Sequence, residues 1–531
     1  VTLPRAARFW LCVLPVVLGL CYHASAHLIG RPAPFQDDMR QHILGLQPTN
    51  DLFGHYFAAS VPPGVRVLDW ITSRACSPLD WARWGQPLLS ASLLAAAAWG
   101  LGRRVWAGDN PDARAHKSLL LVWLAQALAW SSDDLVSGTP RGWSYFFSLW
   151  IFGRFLAADG WGLALALGAC ACFYPPVAAL MLPLSLVLAL RAWRGDKRIQ
   201  HLTQVVLAAT LCIAPVIFQT HALAPYGPKI TRGQALEQPE FHRGGRAVYF
   251  DSNPKNFWVT GARSGFVARD TELPWLLLIA ASAVAATAAW RSRSPVLPKD
   301  TWTALALLLG IGAGLFLLSH ALWFRLFHPS RYAQFAVLTV ATVAGAGLLG
   351  HLRPWMAWAL IPALFAANAA TVDVPFFSGT EATAVHSQLA HENGKKVLIA
   401  AFPGNEIAST LPLLSGQATL CSVELALPYH TGFYRDASAR IADSLAVWSS
   451  SDSNTIRAFV QGYGITHFYL DPADWPEHAA QAKKLLPDPW RKSYATGLKG
   501  STPLLKLALG EGAGARLVPA EELLQKIDEK K

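Results

Sequence analysis

Up to Ala370 the chain is dominated by long apolar runs, broken at short intervals by basic or turn-forming residues. A helix that crosses a bilayer needs roughly 20 mainly apolar residues. Windows that meet or approach that length are Phe9–Tyr22, Pro87–Leu101, Ser118–Trp130, Trp143–Leu156, Trp161–Phe173, Val177–Ala192, Leu202–Thr220, Leu273–Trp290, Trp302–Ser319, Ala333–Gly350 and Trp355–Ala370. The pattern predicts a mainly α-helical polytopic membrane protein with about eleven transmembrane helices. The two windows flanking Tyr174-Pro175-Pro176 could instead form one long kinked helix.

Beyond Ala370 the pattern changes. Lys396–Ala401, Ala418–Val423 and Thr466–Leu470 read as buried strands, whereas Arg435–Trp448 and Asn454–Tyr463 have helical spacing, with Asp452 or Asn454 available to cap the latter. Strands alternating with helices predict a small α/β domain with a largely parallel sheet. The expected division is therefore a membrane module over 1–370, with long outer loops at 23–86 and 221–272, and a separate α/β domain over 371–531. Ala520–Lys531 reads as a charged helix. In the first long loop, Val65, Leu68, Trp70, Ile71 and Ala75 form one apolar side of a helix expected to lie on the membrane surface.

Composition agrees with a bilayer setting: 53% of residues are hydrophobic, 15% are charged and 22 are Trp. Lys and Arg in short loops favour the cytoplasm. With the N-terminus inside, the cytoplasmic segments hold Arg5 and Arg8; Arg103, Arg104, Arg114 and Lys117; Arg191, Arg194, Lys197 and Arg198; Arg291, Arg293 and Lys299; and Arg353. The α/β domain then lies outside. These anchors account for most of the net charge of +11, and no dense basic run is interleaved with aromatics, so nucleic acid is not an expected partner. Arg5, Arg8, a short apolar core and Ala24-Ser25-Ala26 imitate a cleavable signal, yet retention is expected because its loss would leave the alternation without its anchor. Of the seven cysteines, Cys76 and Cys421 are both predicted outside and could pair.

The candidate chemistry lies on the predicted outer face. Asp37 and Asp38 stand side by side just beyond the first apolar run, and adjacent carboxylates either raise one pKa or bind a divalent cation. Both effects help to deprotonate a hydroxyl. A solvated acidic turn after Pro34 would look the same. A second pair, Asp133-Asp134, opens the run to Thr139-Pro140-Arg141, where an N-capped turn is the bland alternative. Phe324–Tyr332 places Arg325, His328, Arg331 and Tyr332 at the mouth of an outer-face span, against the positive-inside trend. Planar guanidiniums match phosphate oxygens, although headgroup anchoring would also explain them. Tyr429-His430 sits in a dense polar and aromatic stretch that could line a sugar pocket or simply cover the sheet. No nucleotide fingerprint, zinc motif or nucleophile elbow is present.

Together, Gln36–His42, Ser131–Arg141, His328–Tyr332 and Leu425–His430 resemble a group of bacterial multispan proteins that is similar to the GT-C superfamily of integral membrane glycosyltransferases. The resemblance implies a multi-pass enzyme of the bacterial inner membrane, using a polyprenyl-phosphate-linked sugar donor and a glycan, lipid or protein acceptor outside the cytoplasm. It implies an inverting transfer with Asp37 or Asp38 as general base, Arg331 with Arg325, His328 and Tyr332 at the donor phosphate, and Asp133 and Asp134 orienting the acceptor or a metal. Arg40, His42, Arg141, Tyr429 and His430 are candidate substrate contacts. Members of the superfamily differ in metal dependence, which leaves Mg or Mn open, and the C-terminal α/β domain leaves the acceptor open. Two rival readings are a lipid or polysaccharide flippase, whose signature would be acidic residues deep inside discontinuous spans, and a non-catalytic envelope assembly protein.

Overall fold

The computed structural model describes residues 4–28, 35–36, 38–130, 133–192, 198–267, 283–284, 286–287, 289–290, 295–322, 325–326, 328–371, 376–377, 385, 387–389, 396–475, 486–488, 490–491, 494, 502–509 and 515–529. Helices occupy the apolar windows within these residues: Arg5–Leu28, Gln86–Val105, Pro111–Trp130, Ser144–Leu156, Gly160–Phe173, Pro175–Ala192, Arg198–Leu223, Lys299–Leu322, Pro329–Leu349 and Pro354–Thr371. Leu273–Trp290 lies largely outside the described residues. The Tyr174-Pro175-Pro176 segment separates two helices, because prolines are tolerated at a helix start and not in its interior.

Four described helices are long and apolar enough to cross a bilayer: Arg5–Ala24, Arg198–Tyr226, Lys299–Leu322 and Pro329–Leu349. This is a multi-pass membrane protein, but fewer helices meet the length criterion than the about eleven expected. Ser144–Leu156 shows why: its 13 residues extend for only about 20 Å at 1.5 Å per residue, less than the roughly 30 Å of a hydrocarbon core. Three shorter apolar helices, Gly160–Phe173, Pro175–Arg191 and Pro354–Ala367, accompany the four.

The chain folds into two compact units, each assembled from distant segments. The first contains Val1–Arg31, Pro62–Thr220 and Asn253–Phe376. Its core runs through Leu120, Leu121 and Leu124 of helix Pro111–Trp130, Phe152, Leu167, Leu308 and Phe335. Helix Pro111–Trp130 is buried on every side from Ser118 onward, which is why its sequence carries no clear apolar stripe. Other helices turn apolar residues outward, among them Leu14 and Leu18 on Arg5–Leu28 and Val206, Ile213 and Ile217 on Arg198–Leu223. Such continuous exposed apolar faces suit contact with lipid. The surface helix expected in the first loop forms as Pro63–Thr72, with Val67, Trp70 and Ile71 exposed.

The second unit contains Pro32–Val61, His221–Ser252 and Phe377–Lys531. Its four-stranded sheet has the spatial order Ala418–Thr419, Leu398–Ala400, His467–Leu470 and Arg516–Pro519. The first three strands are parallel and the last is antiparallel. Both faces of the sheet are covered: Phe468 and Leu470 point into a core with Phe402, Phe433 and Trp448, while the intervening Tyr469 joins Ile399 and Leu411 on the other face. Helix Ser453–Tyr463 is capped by Asp452, whose side chain accepts from the Asn454 N–H, as the sequence led us to expect. The antiparallel strand Arg516–Pro519 has no counterpart in the sequence reading, since four residues show too little alternation to stand out. Cys76 and Cys421 are both free thiols.

Candidate functional site

In the second unit, Asp38 stands at the entry of helix Met39–Leu46 with its carbonyl accepting from the His42 N–H at 3.2 Å. Its carboxylate is half-buried and acts electrostatically on His42 and Arg246. Asp37 lies outside the described residues. Arg40 turns inward and is only 4% exposed. Its Nη1 donates to Ser409 Oγ at 2.8 Å, and its Nη2 lies 3.7 Å from Glu424 Oε1. The same Glu424 oxygen accepts from Arg246 Nη2 and from Gln41 Nε2, the latter at 3.4 Å. One carboxylate thus sits between two guanidiniums.

Burial pushes the Arg40 guanidinium below its ordinary range, against the pull of Glu424. Burial acts the same way on Arg246, but there Glu424 and Asp38 outweigh it and raise the value. His42 is held down to about 4 by burial, with Asp38 pulling weakly in the opposite direction. Its Nε2 is buried and has no hydrogen-bond partner among the described residues. His430 is also buried, and its Nδ1 is 3.0 Å from the Tyr56 hydroxyl. Burial and the nearby Lys229 push His430 down to about 4. Tyr56 stacks on Phe433 at 3.7 Å between ring centroids, and half-buried Tyr429 meets Phe241 edge-on. Arg40, His42 and His430, expected as substrate contacts, are thus packed inside the unit.

In the first unit, Asp134 is 1% exposed. Its Oδ1 lies 3.5 Å from Arg331 Nη1 and 3.6 Å from Arg141 Nη1, and its Oδ2 accepts from Gln334 Nε2 at 3.2 Å. Arg331 Nη1 also donates to Gln334 Oε1 at 3.1 Å. Two guanidiniums thus converge on one buried carboxylate, and guanidinium donors are matched to phosphate oxygens. Local sequence shapes the loop: the Ser137 hydroxyl donates to the Asp134 carbonyl, and Gln86 donates to the Thr139 carbonyl. Gly138 has φ +62°, and a Cβ there would fall 2.2 Å from the Ala82 carbonyl oxygen, so only glycine lets the two backbones approach. Asp133 opens the short helix Asp133–Val136, but its side chain is not among those described.

His328 and Tyr332 flank the start of helix Pro329–Leu349 and are both buried, whereas Arg325 is exposed. Ser330 fixes that helix start, its hydroxyl donating to the Ala262 carbonyl at 2.9 Å. Three participants escaped the sequence reading. Gln334 could have been found one helical turn after Arg331. Glu424 opens the Tyr429-His430 stretch, but nothing local marks it or Arg246 as partners. Among the described residues, no group of three or more His, Cys, Asp or Glu side chains is placed to hold a metal ion.

No family model matches this chain, and no curated protein matches it. Solved structures do. The archaeal oligosaccharyltransferase AglB from Archaeoglobus fulgidus, in complex with an inhibitory peptide and a dolichol-phosphate, is 11% identical with a TM-score of 0.51, over 93% of this chain and 72% of that chain. The apo form of the Archaeoglobus fulgidus oligosaccharyltransferase is also 11% identical, with a TM-score of 0.49 over 94% and 72% of the two chains. At such identity the first of these likenesses is one of fold, and over nearly its whole length this chain is similar in fold to the archaeal oligosaccharyltransferase AglB.

Proposed function

We propose that this chain is a membrane glycosyltransferase that moves a sugar from a lipid-phosphate donor to an acceptor outside the cytoplasm. The observation that carries the reading is the convergence of Arg141 and Arg331 on the buried Asp134 carboxylate. A fold similar to that of AglB, whose solved complex contains a dolichol-phosphate and a peptide, is in keeping with it.

In this reading the bond between the anomeric carbon and the donor phosphate oxygen breaks, and the phosphate leaves with the electron pair. Charge grows on the phosphate and positive character on the sugar. Arg331 and Arg141, oriented by Asp134 and Gln334, stabilise the leaving phosphate; Arg325 offers a more exposed guanidinium. The acceptor attacks the anomeric carbon and yields its proton to a general base, the role proposed for Asp37 or Asp38 from the first-loop motif alone. General-base assistance of this kind supplies about 10²- to 10⁴-fold, with positioning adding more.

The test is a profile of envelope glycans and lipid-linked sugars in a strain that lacks the gene. Loss of a glycan modification together with donor accumulation is the expected result. Intermediates trapped on the inner leaflet would identify a flippase instead, and unchanged profiles would remove the transferase reading.

A further inference from the structure

The first unit contains a cleft of about 810 Å³ that plays no part in the chemistry above, and its mouth, lined by Pro111 and Arg114, lies at the opposite end of helix Pro111–Trp130 from the Asp134 loop. That helix has twenty residues, so about 30 Å separates the arginine mouth from the Asp134 loop. The walls of the cleft come from helix Arg5–Leu28, helix Gln86–Val105 and the start of helix Pro111–Trp130.

Two stripes of helical spacing line its depth. Phe9, Val13, Val16, Val17 and Leu20 face it from the first helix. From the second, Leu88 and Trp99 bracket the small residues Ser92, Ala95 and Ala96, which recess the wall. Ser92 spends its hydroxyl on the Leu88 carbonyl at 2.8 Å, so the recess makes no polar demand. From Arg5 to Leu20 the helix rises about 22 Å, more than one leaflet of a hydrocarbon core of roughly 30 Å.

The mouth has the opposite character. Arg5, Arg8, Arg103 and Arg114 all line it. Arg8 pairs with Asp112 at 3.1 Å, and Arg114 donates to the Ala107 carbonyl at 3.3 Å. Arg5 and Arg103 carry no ion pair among the described residues. Membrane anchoring explains basic residues at helix ends, but not an apolar recess one leaflet deep beneath them.

We propose that this cleft binds an anionic phospholipid of the surrounding bilayer, its phosphate at the arginine mouth and one acyl chain along the recess. The lipid ties helix Arg5–Leu28 to its neighbours and leaves the chemistry at Asp134 untouched. The proposal does not depend on the glycosyltransferase reading.

The experiment titrates the full-length protein in detergent with phosphatidylglycerol or phosphatidylcholine carrying identical dioleoyl chains, and counts bound lipid by native mass spectrometry. A basic residue at an anionic lipid surface is worth about fivefold in binding. We expect phosphatidylglycerol to be retained at least about tenfold better than phosphatidylcholine, and Arg5→Gln with Arg103→Gln to reduce that preference by at least about fivefold. Ala95→Leu with Ala96→Leu, which fills the recess and keeps every arginine, should abolish retention of phosphatidylglycerol. Equal retention of the two lipids, an unchanged preference in the arginine variant, or competition by glycerol 1-phosphate alone at the lipid's own concentration would each overturn the proposal.

Discussion

Arg331 Nη1 lies 3.5 Å from Asp134 Oδ1, and this pair joins the first turn of helix Pro329–Leu349 to a loop about 200 residues earlier in the chain. Gln334, one turn further along the helix, grips the second oxygen of the same carboxylate. Arg331 is therefore held in one orientation before any phosphate arrives. Charge-assisted hydrogen bonds are worth roughly tenfold or more each. Arg331→Ala should raise the donor KM by at least about tenfold and change acceptor use far less. Steady-state kinetics with each substrate varied in turn decide it, and equal effects on both would mean structural damage.

Asp37→Asn and Asp38→Asn, made singly, should both leave insertion and folding intact. One of them should lower glycan transfer by at least about a hundredfold, the loss expected when a general base is replaced by an isosteric amide. Transfer assays on protein matched for expression and melting temperature provide the check. If both variants keep wild-type transfer, neither residue is the base.

Glu424 balances two guanidiniums at once. Glu424→Gln leaves Arg40, 4% exposed, and Arg246 without their shared counter-charge. Removing one partner from a buried ion pair costs about 3–5 kcal/mol, so this variant should melt well below wild type. Adding Arg246→Gln to it should recover part of the loss, because the double variant then buries one guanidinium fewer. Thermal unfolding of the three proteins measures the effect, and a Glu424→Gln variant as stable as wild type would show that the ion cluster contributes little.

His42 gives the second unit an acid-labile element. Its folded value is about 4 against an ordinary 6.5, so between these limits the unfolded chain binds a proton that the folded chain refuses. Stability therefore rises with pH across this window and is lost as pH falls from about 6.5 through 4, by an amount on the order of 3 kcal/mol at most. His42→Gln should flatten the pH dependence of melting between pH 7 and 4.5 by about one proton. An identical slope in the variant would place the acid sensitivity elsewhere.

Local pattern made much of the fold legible. Apolar runs such as Trp302–Ser319 and Ala333–Gly350 became helices because a segment in lipid or a dry core must satisfy its own backbone hydrogen bonds. Lys396–Ala401 and Thr466–Leu470 became parallel strands because β-rich apolar runs separated by amphipathic helices leave few other arrangements. The residue types of the candidate chemistry were legible as well, since Asp133-Asp134 and the Arg331 box interrupt the apolar pattern where charge is expensive.

Partnership was not legible. Nothing near Asp134 announces that its carboxylate is shared by Arg141, Arg331 and Gln334, and nothing near Glu424 announces Arg40 and Arg246. The same holds for the inward turn of Arg40 and His42, which a short loop motif presents as accessible. Amphipathic periodicity encodes the direction a side chain takes from its own helix or strand, over a few residues. Which distant segment waits there depends on how Pro32–Val61, His221–Ser252 and Phe377–Lys531 close into one unit, and long-range closure leaves no periodic trace in the chain.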